Sequence, residues 1–221
     1  MRAKYIARLG GIAAVIAAAL LWLVPAWAQP RVFDPPGSGV ASAATADDTA
    51  PAPMTAMAAG PALARQLARA RLATAKYATN LARARADGYQ VITPMMPDMG
   101  IHYMNPGIGG FTITKPQVLV YEHHGNTWQL GALEWVFPSM PKTPPLQDAT
   151  FGFFPAACHY RDGTFIPEEN SKTCQKTSPE TGSAFSFWHP DLTTMHVWIW
   201  YPNPAGLYSS TNPLIAPFNG G

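Results

Sequence analysis

Residues 118–137 read VLVYEHHGNTWQLGALEWVF, and this stretch decides the expected fold. Two runs rich in β-branched and aromatic residues flank the dipeptide Gly125-Asn126, which is a turn signal in that setting. We therefore expect a β-hairpin with one strand at 117–122 and a longer strand at 127–137. Pro138, which has no backbone N–H, ends the longer strand. Further strands are predicted on either side, at 89–93, 101–104, 185–188 and 194–201.

The segment that precedes these strands, residues 61–88, has the pattern of one long helix. Pro61 suits the first turn of a helix, and Gly88 suits the position just after its last turn. No other glycine or proline lies in this segment, and apolar residues recur at steps of three and four. The prediction is an α+β fold, in which a long N-terminal helix packs on a mainly antiparallel β-sheet built from 89–137 and 185–201. Residues 61–221 would form this single domain.

Residues 138–184 are predicted to be a loop-rich insertion, because they are polar and contain several prolines. This segment holds the chain's two cysteines, Cys158 and Cys174. In an exported protein, such a pair is expected to form a disulfide. The alternative is a thiolate metal or catalytic site, which the spacing does not favour because it is not CxxC.

Residues 1–28 have the pattern of a secretory signal peptide. Three basic residues precede an uncharged run of 16 residues at 9–24, and Ala26-Trp27-Ala28 matches a signal-peptidase site. The alternative is a retained membrane anchor, although the run is shorter than the ~20 residues that a spanning helix needs. We expect a periplasmic or secreted protein that meets the membrane only transiently, through this segment.

Residues 29–60 are rich in Ala, Pro, Ser, Gly and Thr, and they are predicted to be a disordered linker. The whole chain carries 15 basic and 13 acidic residues, but Arg2, Lys4 and Arg8 lie in the signal segment. The mature chain would therefore carry 12 basic and 13 acidic residues, a side-chain charge of −1. This balance lacks the basic surplus typical of nucleic-acid binding.

The candidate site follows from strand alternation, which places every second side chain on one face. His196 is expected to share a face with Trp198 and Trp200, and Glu134 with Trp128, Leu130 and Val136. A carboxylate and an imidazole in such apolar rows are costly unless they are paired. His102, Glu134 and His196 could thus converge as a metal site of two histidines and one carboxylate. The alternative is a buried Glu–His pair with a structural role.

Methionines around His102 favour copper as the metal. Met99 and Met104 belong to a methionine-rich segment at 95–104, and thioether with imidazole is a ligand mix that suits Cu(I). Zinc and iron remain alternatives with the same inner residues, and His189 is a further candidate ligand. Equally, these methionines could simply fill the edge of a core.

Other histidines and the tryptophans give weaker signals. His159 in the insertion and the pair His123-His124 are expected to be exposed. Trp128, Trp198 and Trp200 are candidates for stacking on a planar ligand, although aromatic rows in strands more often belong to a core.

Several blocks of sequence resemble an uncharacterised family of exported bacterial proteins. The blocks are GIHYMNP at 100–106, VLVYE at 118–122, LGALEWVFP at 130–138, MHVWIWYPNPAGLY at 195–208, and Asn212-Pro213. The resemblance covers roughly residues 73–213 and implies export and a shared fold, but no reaction. The chain differs from that pattern in lacking a cysteine after Asn212-Pro213 and in its larger insertion.

Three hypotheses for function follow from these observations. The first is an exported metal-binding protein, with copper favoured. The second is a ligand-binding or structural module of the cell envelope, which would use its Trp-rich sheet and no metal. The third is a metal-dependent oxidoreductase or hydrolase. The sequence contains neither a GxSxG motif nor a Walker-type glycine loop, and a binding role is favoured over catalysis.

Overall fold

The computed structural model describes residues 60–219. The predicted signal peptide and all but the last residue of the predicted linker lie outside the described residues. Within the described part, no helix combines the length and the apolar character needed to cross a membrane.

The N-terminal segment is not one long helix. Helix α1 (Pro61–Thr74) leads into a 3-10 turn (Ala75–Tyr77), and the short helix α2 (Leu81–Ala86) follows after a break. At the break, the Ala78 carbonyl accepts a hydrogen bond from Leu130 N at 2.7 Å, so a strand takes a group that a continuous helix would use. Asn80 then caps α2 by accepting from Arg83 N at 2.9 Å.

The larger sheet has six strands, which are β1 (Gln90–Val91), β2 (Ile101–Met104), β3 (Val118–His124), β4 (Thr127–Phe137), β5 (Gly152–Phe154) and β9 (Leu192–Val197). All pair antiparallel, in the order β1-β2-β3-β4-β9-β5. The predicted hairpin is present as β3 and β4, and β9 pairs with the other edge of β4.

A second antiparallel sheet contains β6 (Ala157–Tyr160), β7 (Phe165–Pro167) and β8 (Phe185–His189). Its strand order is β7-β6-β8. The segment 138–184 therefore contributes strands to both sheets and is not simply a loop-rich insertion. The α+β prediction is wrong: the described chain is rich in strands and forms two antiparallel sheets, and its α-helices are α1, α2 and the short α3 (Ala216–Asn219). The helical pattern of residues 61–88 does correspond to helices α1 and α2, but strand pairing determines the architecture.

The two faces of the larger sheet have different roles. One face packs into the main hydrophobic core, which also includes side chains from α1 and α2. On this face lie Leu119, Tyr121, Leu133, Trp135, Met195 and Val197. The opposite face carries a smaller apolar cluster around Val118, Val120 and Ala132, and beside this cluster lie the polar residues of the candidate site.

A β-bulge at Gly131 changes which side chains share a face. Val120 pairs with Ala132 but Tyr121 pairs with Leu130, so Gly131 is the extra residue. The alternation of β4 therefore reverses at this point. Leu130 joins the main core, whereas Glu134 and Val136 point to the opposite face, so the expectation that Glu134 shares a face with Trp128 and Leu130 is wrong.

The predicted disulfide between Cys158 and Cys174 is present, with the two Cα atoms 5.6 Å apart. It joins β6 to the 3-10 turn at Ser171–Thr173. A disulfide of this kind indicates an oxidising environment.

Candidate metal centre

His102, Glu134 and His196 come together on the face of the larger sheet opposite the main core. His196 Nε2 lies 3.1 Å from Glu134 Oε1 and 3.3 Å from His102 Nε2. His102 Nε2 lies 3.8 Å from Glu134 Oε2. One potential ligand atom from each residue falls within 4.8 Å of the others, and all three residues are buried. This cluster could bind a metal ion.

Strand register explains why residues so distant in sequence meet. Glu134 lies directly opposite His196 across β4 and β9, and opposite Val118 across β3 and β4. Met104 on β2 pairs with Val118, so Met104, Val118, Glu134 and His196 form one row across the sheet. His102 is two residues from Met104 and therefore points to the same side. Val118 lies on β3, the strand between β2 and β4, and its side chain is short. The longer His102 and Glu134 side chains can therefore meet above it.

Thr93 fixes the orientation of His102. Its Oγ1 lies 3.1 Å from His102 Nδ1 and accepts a hydrogen bond from the His102 backbone N–H at 3.0 Å. The other ring nitrogen, Nε2, is thereby directed toward Glu134 and His196. A second hydrogen-bonded partner of this kind is common for imidazoles that bind metals.

The pKa values of the three side chains shift in different directions from their ordinary values. Burial lowers the pKa of His102 to about 4, so its imidazole is neutral at pH 7. Burial alone would raise the pKa of Glu134, but the charge of His196 and its hydrogen bond outweigh burial and lower it. Burial opposes the charged form of His196, but Glu134 raises its pKa above the ordinary value. The contact between Glu134 and His196 thus favours the charged form of both side chains, beside a neutral His102.

A cavity of about 380 Å³ adjoins the cluster, and both sheets contribute to its walls. Most of the lining is apolar and includes Phe154, Phe165 and Phe187. Met99 and Met104, the two predicted soft ligands, line this cavity together with Met96. The cavity gives the cluster room for a metal ion with an additional ligand.

His189 and His159 also line this cavity, but from the second sheet. Their ring centroids are 5.0 Å apart. His159 is fully buried, and the expectation that it is exposed is wrong. The sequence signal for this burial is the short, largely apolar run Ala157–Tyr160. In the structure this run is a strand in which every residue is buried.

The three tryptophans proposed for stacking lie elsewhere. Trp198 is buried in the smaller cluster and donates from Nε1 to the Ser209 carbonyl at 2.7 Å. Trp200 packs against the main core beneath the Arg71 guanidinium, and the Trp128 ring lies tilted against His123, with centroids 4.6 Å apart. Strand β9 ends at Val197, so alternation does not continue to Trp200. None of the three belongs to the lining of the cavity described above.

A further buried carboxylate, Glu122, was not singled out from the sequence. It is 1% exposed, and its Oε1 lies 3.3 Å from His124 Nε2. Burial raises the pKa of Glu122 to about 7. His124 is half-buried against Phe218 rather than fully exposed, at a centroid distance of 4.0 Å.

No family model matches the chain, and no curated protein or solved structure is significantly similar to it. The blocks that resemble a family of exported bacterial proteins therefore stay a prediction. What the site does has to be argued from its own geometry.

Proposed function

We propose that the protein binds a transition-metal ion through His102, Glu134 and His196, and that copper is the favoured ion. The observation that carries the proposal is the convergence of two imidazole nitrogens and one carboxylate oxygen within 4.8 Å. Metal–nitrogen bonds are near 2.0–2.1 Å, so small side-chain movements would bring all three atoms around one ion. The cavity beside the cluster leaves space for these side-chain movements.

The donor set supports a first-row transition metal. Two imidazoles and one carboxylate suit copper, zinc and iron, and copper(II) binds most tightly in the general affinity order. Met99 and Met104 line the same cavity and offer thioether sulfur, which favours copper(I) over zinc. A site with both kinds of donor accommodates copper in either oxidation state.

The expected compartment supports the same proposal. The signal-peptide pattern of residues 1–28 and the Cys158–Cys174 disulfide both favour a periplasmic or secreted protein. An exported protein would acquire its metal outside the cytoplasm.

A second function, metal-dependent catalysis, is favoured by the cavity. A structural Glu–His pair needs no adjoining space, whereas this cluster opens on about 380 Å³ lined by aromatic and methionine side chains. A small, largely apolar substrate would fit a cavity of this size. An oxidoreductase or hydrolase acting on such a substrate is therefore the alternative to a binding protein.

Metal analysis of protein purified without a polyhistidine tag tests the proposal. We expect about one equivalent of bound copper(II) and a higher melting temperature when copper(II) is added. The double variant His102→Gln/His196→Gln should lose both effects, whereas His123→Gln, a histidine on the other face of the sheet, should keep them. A wild-type protein that retains no stoichiometric copper, zinc or iron and shows no thermal shift would contradict the proposal.

A further inference from the structure

The second sheet presents a pair of histidines to the same cavity. His159 on β6 pairs with Phe187 on β8, and His189 lies two residues further along β8. Because alternate residues share a face, His159 and His189 point to the same side of this sheet. Their ring centroids are 5.0 Å apart, and both residues line the cavity that Glu134 and His196 also line.

Both rings are held in an orientation that leaves Nε2 available. His159 Nδ1 lies 2.8 Å from the Ile92 carbonyl oxygen, and His189 Nδ1 lies 2.6 Å from the Pro190 carbonyl oxygen. A carbonyl oxygen can only accept, so Nδ1 carries the proton in each ring and Nε2 carries a lone pair. The two residues are 0% and 8% exposed, and within the described part of the chain neither Nε2 has a hydrogen-bond partner.

This arrangement is the one that metal-binding histidines adopt. In such sites, one ring nitrogen donates to a carbonyl or carboxylate and the other binds the ion. A buried lone pair without a partner is otherwise costly. Burial, which lowers the pKa of both histidines and that of His159 to about 4, is consistent with this arrangement.

The surroundings select the kind of ion. His159 stacks on Phe187 with centroids 4.6 Å apart, and Phe154 and Phe165 also pack against its ring. A divalent ion held in this aromatic cage by neutral donors would be poorly compensated. Asp191, near His189, already accepts a hydrogen bond from Ala156 N at 2.8 Å. A soft, monovalent ion that accepts few ligands fits these surroundings better than a divalent ion does. Met96 and Met99 line the same cavity, and either could supply thioether sulfur as an additional ligand.

We propose that His159 and His189 form a second metal site, for copper(I), separate from the cluster of His102, Glu134 and His196. The ligands are the two Nε2 atoms. The choice of copper follows the proposed function, but the geometry of this pair does not depend on it.

Titration of the full chain with copper(I) under anaerobic conditions, against a competing chelator, tests this inference. We expect about two equivalents for the wild type, and one each for His102→Gln/His196→Gln and for His159→Phe/His189→Phe. His123→Gln is the matched control and should bind two. If the pair variant binds as much copper(I) as the wild type, the second site is overturned. If only the pair variant loses copper, the proposed function fails and the second site stands.

A spectroscopic measurement on the wild type covers the case in which the pair variant does not fold. Silver(I) serves as a redox-inert substitute for copper(I), and long-range proton–nitrogen spectra report each imidazole nitrogen. We expect the Nε2 resonances of His159 and His189 to shift on addition of silver(I) while Nδ1 keeps its proton. Unmoved Nε2 resonances at saturating silver(I) would overturn the inference.

Discussion

Glu134 and His196 lie directly opposite each other on β4 and β9, and their Oε1 and Nε2 atoms are 3.1 Å apart. The contact is buried, with side chains 8% and 5% exposed. A buried charge pair of this kind is expensive to assemble and more expensive to break. It keeps a carboxylate and an imidazole in position beside His102 before any ion arrives.

Replacing Glu134 with glutamine should therefore weaken both the fold and the metal site. Without the carboxylate, the buried His196 imidazole has no opposite charge beside it, and the metal-free protein should lose about 3–5 kcal/mol of its free energy of unfolding. Urea unfolding of metal-free protein at pH 7 measures this loss. Copper binding should weaken in parallel, whereas a variant with unchanged stability and copper affinity would show that Glu134 has no part in the site.

Glu122 should reduce stability at high pH. Its folded-state pKa is raised to about 7 from an ordinary value of 4.5, so the folded protein holds a proton there that the unfolded chain releases. Stability from this group is present below pH 4.5 and is lost as the pH rises through 7. Glu122→Gln should then be more stable than the wild type at pH 8, by about 1–3 kcal/mol, and no more stable at pH 4. Thermal unfolding at the two pH values checks this, and an equal effect at both would contradict it.

His159 should contribute to acid unfolding of the metal-free protein. Burial holds its pKa at about 4 in the folded state, against 6.5 when unfolded. The unfolded chain therefore binds a proton first, and stability falls as the pH decreases from about 6.5 to 4. Between about pH 6.5 and 4, the free energy of unfolding of His159→Phe should depend less on pH than that of the wild type or of His123→Gln. Identical slopes in all three proteins would show that His159 titrates normally.

Removing the disulfide should destabilise the second sheet. The bond closes a segment with a sequence separation of 16, for which the chain-entropy model gives about 3 kcal/mol. Cys158→Ala/Cys174→Ala should unfold at a correspondingly lower urea concentration. Because Cys158 precedes His159 on β6, this variant should also weaken copper(I) binding at the histidine pair more than at Glu134. Equal weakening at both sites would argue against separate sites.

Part of the site could be predicted from sequence, because alternation is local. The period-2 pattern placed His102 on the same face as Met104, and the cost of burying a charge drew attention to Glu134 and His196. The disulfide followed from having two cysteines in an exported chain. The meeting of β2, β4 and β9, however, depends on strand order and register, which local patterns do not specify.

The errors have physical causes of the same kind. The helix pattern of residues 61–88 contains no breaker, yet the chain turns where Ala78 bonds to β4. The bulge at Gly131 reverses the alternation of β4, which no period-2 pattern anticipates. His159 looked exposed because its segment is polar overall, although the short strand that carries it is buried by the pairing of β6 with β7 and β8. Tertiary pairing overrode local sequence in each case.

Electron paramagnetic resonance of the copper(II)-loaded protein tests the central claim most directly. The spectrum reports how many nitrogen atoms bind the ion. We expect one equivalent of copper(II) with splitting from two imidazole nitrogens, lost in His102→Gln/His196→Gln and unchanged in His123→Gln. Absence of stoichiometric copper(II), or an identical spectrum in the double variant, would contradict the assignment of His102, Glu134 and His196 as the metal site.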